Sequence, residues 1–179
     1  MKTWLSLLPT LLLSFTLSGQ KPPETLEEYQ ERYERRIKQV YLNEVYIPED
    51  LGDAFIQFNK LISAASKQKF KSMPESDAAV KLHFSFGRWM IVNWGFYEGS
   101  RFSHYLKKLG LSHPDDMARF VILMYHRDLN KVPLEPKQLI NDLVEERRAA
   151  YLEKREKSRV VISETRIPAE KSDSLGGNR

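Results

Sequence analysis

Apolar positions recur along most of the chain at steps of three and four, the period of a helix rather than a strand. Leu26, Tyr29, Tyr33, Ile37 and Val40 form one such stripe between Glu24 and about Asn43. Acid-first pairs four residues apart, Glu28 with Arg32, Glu31 with Arg35 and Glu34 with Lys38, support a surface helix there. Pro48 suits a first helical position with Glu49 and Asp50 in the first turn, and Leu51, Phe55, Phe58 and Ile62 then share one side of a helix to about Ile62. Ser63 is placed to cap a short helix to about Ser72, and Met73-Pro74 breaks the pattern.

The most apolar segment runs from about Glu75 to Trp94. Asp77, Lys81, Ser85 and Arg88 fall on one narrow stripe, while Val80, Leu82, Phe84, Phe86, Trp89, Met90 and Ile91 cover the remaining circumference. A helix this apolar is normally surrounded by others, so it is expected to be the central core helix, with His83 and Asn93 turned inward. Gly95 and Gly99 frame a turn, Ser100 is a plausible N-cap for a helix that Gly110 ends, and Pro114 opens a helix to about Leu129. Leu139, Ile140, Leu143, Val144 and Tyr151 form a last amphipathic stripe, after which Arg159-Val160-Val161-Ile162 offers a short strand without an evident partner. The expected fold is all-α: a compact multi-helix domain with a central apolar helix, flanked by N- and C-terminal amphipathic helices.

Lys2 followed by the apolar run Trp4 to Leu17 and the small residues Ser18 and Gly19 has the form of a cleavable secretory signal. The run is too short to span a bilayer and Pro9 interrupts it. The resulting organisation is a signal peptide at 1–19, a helical N-terminal extension at 20–44, a domain at 45–131, a C-terminal amphipathic helix at 132–160 and a disordered tail at 161–179. A periplasmic or secreted location follows, with no transmembrane segment after cleavage. The chain of 179 residues has no cysteine, which excludes disulfides, thiol catalysis and a lipidated N-terminal cysteine. Its 28 Lys+Arg and 24 Asp+Glu, net +4, are interspersed rather than gathered into a basic patch, which disfavours nucleic acid.

Dinucleotide and phosphate-loop glycine patterns, His-Glu-x-x-His and the serine elbow are all absent, so no cofactor and no dedicated metal set is expected. Three weaker constellations remain. His104, His113, Asp116 and His126, with Asp115 nearby, are the residue types of an acid/base or divalent-metal site, although Asp115 paired with Arg119 on a solvated helix face accounts for much of the same pattern. Trp94, Phe96, Tyr97, Arg101 and Tyr105 surround the glycine turn and are the types that dominate binding hot spots, or else plug the core while Arg101 covers them. His83 and Asn93 form the third set, and a core histidine is usually a structural donor.

Ile47-Pro48-Glu49-Asp50-Leu51, Lys81-Leu82-His83-Phe84 with Trp89 and Asn93-Trp94-Gly95, Gly99-Ser100-Arg101 and His113-Pro114-Asp115-Asp116-Met117 occur in that order. Over about Val45 to Asn130 the chain thereby resembles a small bacterial domain family of unknown function, found mainly in Bacteroidota, whose members often carry a signal peptide. Members have an Arg-Asn-Asn-Trp-Gly-Leu-Trp stretch where this chain has Ile91-Val92-Asn93-Trp94-Gly95-Phe96-Tyr97, so a polar residue of that turn is replaced. The resemblance implies export and one small domain, and no reaction. Together these observations point to a non-catalytic module that binds a protein or cell-envelope ligand through Trp94, Phe96, Tyr97, Arg101 and Tyr105. The alternative is a small hydrolase or metal-dependent enzyme built on His104, His113, Asp116 and His126.

Overall fold

The computed structural model describes residues 22–165, with side chains as far as residue 159. The expected signal segment and most of the expected tail lie outside the described residues. Within them the chain is a mostly α-helical domain with one small hairpin. Helix α1 (Leu26–Arg36) begins at Thr25, whose hydroxyl accepts from the Glu28 N–H. Strands β1 (Tyr41–Leu42) and β2 (Val45–Tyr46) pair antiparallel, Tyr41 opposite Tyr46 and Leu42 opposite Val45. Helical spacing alone carries the stripe through this region, yet Asn43 and Glu44 take φ of 47° and 67°, the positive pair that a two-residue hairpin turn demands.

Helix α2 (Leu51–Leu61) starts three residues beyond Pro48, because Asp50 is the true cap and its carboxylate accepts from the Asp53 N–H at 2.8 Å. Helix α3 (Ala64–Lys71) is capped by Ser63, as the sequence predicts. The long apolar segment then divides into α4 (Glu75–Leu82), a π-helical turn (His83–Gly87) and α5 (Arg88–Asn93). Helix α6 (Arg101–Lys108) opens on Ser100, which forms a reciprocal box with Ser103. Helix α7 (Pro114–Asn130) ends in Lys131 with left-handed backbone, and α8 (Pro136–Thr165) returns along it. The stretch suggested as a strand near Arg159 is part of α8.

The central position belongs to α7 rather than to Glu75–Trp94. It packs against α3, α4, the π turn, α5, α6 and α8, and is buried without interruption from Phe120 to His126. The π turn explains the exchange. A π turn inserts about one extra residue into the helical period, so side chains before and after it no longer follow the 3.6-residue stripe. Ala78 and Ala79 face inward before it and Met90 and Ile91 after it, while Leu82, Phe86 and Trp89 are partly buried and Val80 and Phe84 are exposed. Aromatic rings fill the space between α2, α5 and α7: Phe58 stacks on Trp94 with centroids 5.0 Å apart and meets Tyr125 at 5.0 Å, while Phe102 meets Trp94 edge-on at 5.2 Å.

At the ends, α1 lies over the turn between α5 and α6. Arg36 donates to the Gly99 carbonyl at 3.0 Å and pairs with Glu98 at 3.2 Å, and Lys107 sits over the Tyr33 ring. Gly99 has φ of 93°, and a Cβ there would fall 2.4 Å from the Tyr33 ring, so the turn needs glycine twice over. Arg127 joins the far end, donating to Glu75 at 2.7 Å and to the Leu134 carbonyl at 2.7 Å.

The burial pattern ranks core substitutions differently from the spacing. Phe120→Ala on α7 should cost about 3–5 kcal/mol, whereas Trp89→Ala, at a partly buried site, should cost clearly less. Urea midpoints of the two variants compare them directly; an equal or larger loss in Trp89→Ala would displace α7 from the centre.

Candidate functional site

Of the four residues of the expected acid/base or metal set, His113 and Asp116 line one cavity between α7 and α8, while His104 and His126 lie elsewhere, and each of the four has a structural partner. His113 caps α7, its Nδ1 accepting from the Asp115 N–H at 3.3 Å. Asp116, one turn on, receives both a short Nε bond and a 2.6 Å Nη2 bond from Arg147 of α8. His126 lies near the other end of α7, about 20 Å from His113 at 1.5 Å per residue. Its Nε2 donates to the Met73 carbonyl at 3.0 Å, and its buried Nδ1 has no hydrogen-bond partner among the described residues. His104 is on α6 against the Tyr33 hydroxyl at 3.1 Å, and burial, then Lys108 and Lys107, lower its pKa. Among the described residues no group of three or more His, Cys, Asp or Glu is arranged to hold a metal ion.

A different set converges instead. Asp115, in the first turn of α7, stands 3.4 Å from His83 Nε2 on the π turn. His83 is therefore at the half-exposed mouth of the π turn rather than in the core, and its ring meets Phe84 edge-on at 5.0 Å. One and four residues further on, Asp116 and Arg119 reach α8 through Arg147 and Glu146, the latter at 2.7 Å. Carboxylates in a first helical turn are favoured by the helix dipole, which explains the pair Asp115-Asp116 before any function is invoked. Chemically the arrangement is a clamp: it fixes the π turn and α8 on the start of α7.

The aromatic turn is mostly core. Trp94 and Phe96 are fully buried, and Tyr105 is partly buried and stacked on Phe102 with planes 7° apart. Arg101 donates to the Ile47 carbonyl at 2.7 Å, lies 5.1 Å from the Tyr46 ring centroid and stands 3.9 Å from Asp53. Burial acts to raise the Asp53 pKa, but the Glu49 N–H, the Tyr46 hydroxyl, the Gln57 amide and the Arg101 charge together hold it below the usual value. The network ties the hairpin to α2 and α6. Of the five residues expected to form a binding surface, only Tyr97 is largely exposed, at 57%.

Exposed apolar surface appears elsewhere. Val80, Phe84 and Val92 are 69%, 87% and 61% exposed and follow one another at multiples of four residues along α4, the π turn and α5, with exposed Arg88 between the last two. Arg88 makes no ion pair among the described residues. Spacing had placed Val80 and Phe84 in the core, and nothing in residue type marks the π turn that exposes them.

These features define a mostly α-helical domain whose charged groups serve chiefly to hold its helices together. Residues 47–129 match the family model described as Domain of unknown function (DUF6794), so this stretch carries a domain of unknown function. No curated protein and no solved structure matches the chain. Helix α1, the hairpin and α8 lie outside the matched residues.

Two outcomes follow from the buried polar contacts. Burial, then the Asp128 charge, push the Tyr125 phenol up to about 12. An unfolded tyrosine titrates near 10, so above that pH the unfolded state has lost a proton that the folded state keeps, and stability falls by up to about 1.4 kcal/mol per pH unit towards 12. Tyr125→Phe, which gives up the 3.0 Å bond to Asn59, should be less stable at pH 8, with the deficit shrinking as pH rises above 10. Denaturant midpoints that stay parallel across that range would contradict the assignment. Separately, Arg147→Met strips the nearly buried Asp116 of its partner and should cost about 1–3 kcal/mol, with faster amide exchange in the first half of α8.

Proposed function

We propose that this is an exported, non-catalytic bacterial protein-interaction module, and that its contact surface is the ridge of Val80, Phe84, Arg88 and Val92. One observation carries the proposal: Phe84 is 87% exposed on a segment that is firmly held. His83 contacts Asp115, Gly87 meets α7 and Phe86 lies 4.7 Å from Phe58, so the π turn is pinned on both sides of Phe84. Leaving a phenylalanine in water forgoes about 1.5–3 kcal/mol of burial, and π turns are enriched at functional sites.

The ridge is helical, with exposed side chains at intervals of four, the form that enters a groove on another protein. Its chemistry specifies the partner: an apolar groove for Phe84 and the valines, with a carboxylate facing the exposed Arg88 guanidinium. Export rests on the N-terminal sequence pattern. The expected surface at Trp94, Phe96, Tyr97, Arg101 and Tyr105 contributes Tyr97 at most.

A photo-crosslinking residue at position 84, introduced in the native host, tests the ridge. The expected result is a single protein adduct whose contact surface is acidic and apolar. Phe84→Ala should weaken binding of that protein by at least about thirtyfold, the scale of a hot spot, while changing stability by less than about 0.5 kcal/mol. Lipid adducts alone, or unchanged binding by Phe84→Ala, would overturn the reading.

A further inference from the structure

Three guanidinium groups converge on one cavity where α1 meets the hairpin. The space, about 630 Å³, is lined by Arg32, Arg35 and Arg36 of the C-terminal half of α1 and by Gln39, Tyr41 and Asn43, with the buried Leu42 as its apolar floor. No carboxylate lines it. Favourable interaction with the helix dipole accounts for basic residues in a last turn. It does not account for two amides and a phenol lining the same space.

The frame of the cavity is preset. Arg36 is anchored on the Gly99 carbonyl at 3.0 Å and on Glu98 at 3.2 Å. Tyr41 packs edge-on against Tyr46 at 5.5 Å, and the positive-φ turn at Asn43 and Glu44 fixes the hairpin beside the helix end. Arg35 is different: spacing suggested a pair with Glu31, yet Arg35 makes no ion pair among the described residues. Glu98 already compensates Arg36, so it is the exposed Arg35 guanidinium, set among neutral donors, that gains most from an anion in this space.

We propose that this cavity binds a small multivalent oxyanion, a molecule with two or more phosphate or carboxylate groups. Guanidinium forks grip such groups with two parallel hydrogen bonds each, and Gln39, Asn43 and Tyr41 supply further donors. The volume falls within the range of about 300–1,000 Å³ usual for small-molecule sites, and a preset frame lowers the ordering cost of binding. The site shares no residue with the ridge, so either can fail alone.

Calorimetric titration of the full mature chain tests this, with pyrophosphate and citrate as separate probes at matched ionic strength. Binding of at least one at sub-millimolar dissociation constant is expected, pyrophosphate marking phosphate chemistry and citrate carboxylate chemistry. Arg35→Ala should weaken it by about tenfold or more without moving the thermal midpoint in buffer alone, and Arg35→Lys should fall between the two. Gln39→Ala, a neutral change in the same lining, should also weaken binding and so separates a shaped site from diffuse attraction. Absence of binding by both probes at millimolar concentration, or equal affinity in both alanine variants, would overturn the proposal.

Discussion

The register of the π turn against α7 governs the rest of the structure. A Cβ at Gly87 would stand 3.4 Å from Ile122 Cδ1 and 3.6 Å from Ala118 Cβ, ordinary van der Waals contact, so the turn packs directly on side chains of α7. The backbone reaches that contact through a π turn, and the turn decides which side chains on either side face inward. Upstream, two alanines lie against α7; downstream, Met90, Ile91 and Trp94 enter the aromatic core. The same change of register turns Val80 and Phe84 outward. The register of one turn thus sets both the packing of the domain and the exposed Val80–Val92 ridge.

Hydrophobic burial around α7 is large but non-directional, and alone it would tolerate rotation or sliding of the surrounding helices. The polar residues remove that freedom. At the start of α7, His83 meets Asp115, Arg147 grips Asp116 and Glu146 accepts from Arg119; at its end Arg127 holds Glu75 and the Leu134 carbonyl. Several of these groups are partly exposed, so each pair adds little net stability. Their distance and angle requirements instead choose one arrangement among packings of similar burial. Residues of the kind an active site would use thereby also hold the helices in place.

Helical spacing made the fold class and most helix starts legible, because Ser63, Ser100 and Pro114 carry their capping chemistry locally. Three features escaped it for identifiable reasons. The hairpin is two residues per strand, too short to interrupt a stripe of three-and-four spacing, and its turn depends on positive φ at Asn43 and Glu44 rather than on glycine. The π turn has no signature in residue type, so a uniform 100° step misplaced Val80 and Phe84. Helix α7 was not recognised as central because Asp115, Asp116, Arg119, His126 and Arg127 look like a solvated face until their partners on other elements are known. Trp94 and Phe96 illustrate the converse: the aromatic composition of a hot spot and of a core is the same, and only burial separates them.

The segment matched to a family domain begins at Ile47, directly after the hairpin, and ends at Leu129, one residue before α7 does. Helix α1 is fastened to it mainly through Tyr33 over Gly99 and Arg36 on the same turn, and α8 through Leu139, Ile140, Leu143 and Arg147. Every described side chain of α8 from Val144 to Arg159 is exposed. The flanking elements therefore add to a core that α7 already organises. This division separates the two surfaces by origin. The Val80–Val92 ridge is made wholly of matched residues, and depends on a glycine contact inside the domain. The arginine cavity is made wholly of residues that precede it, and depends on how one added helix and a two-residue turn dock beside Gly99. A ridge function would accordingly be a property of the domain, and an oxyanion function a property of the extension joined to it here.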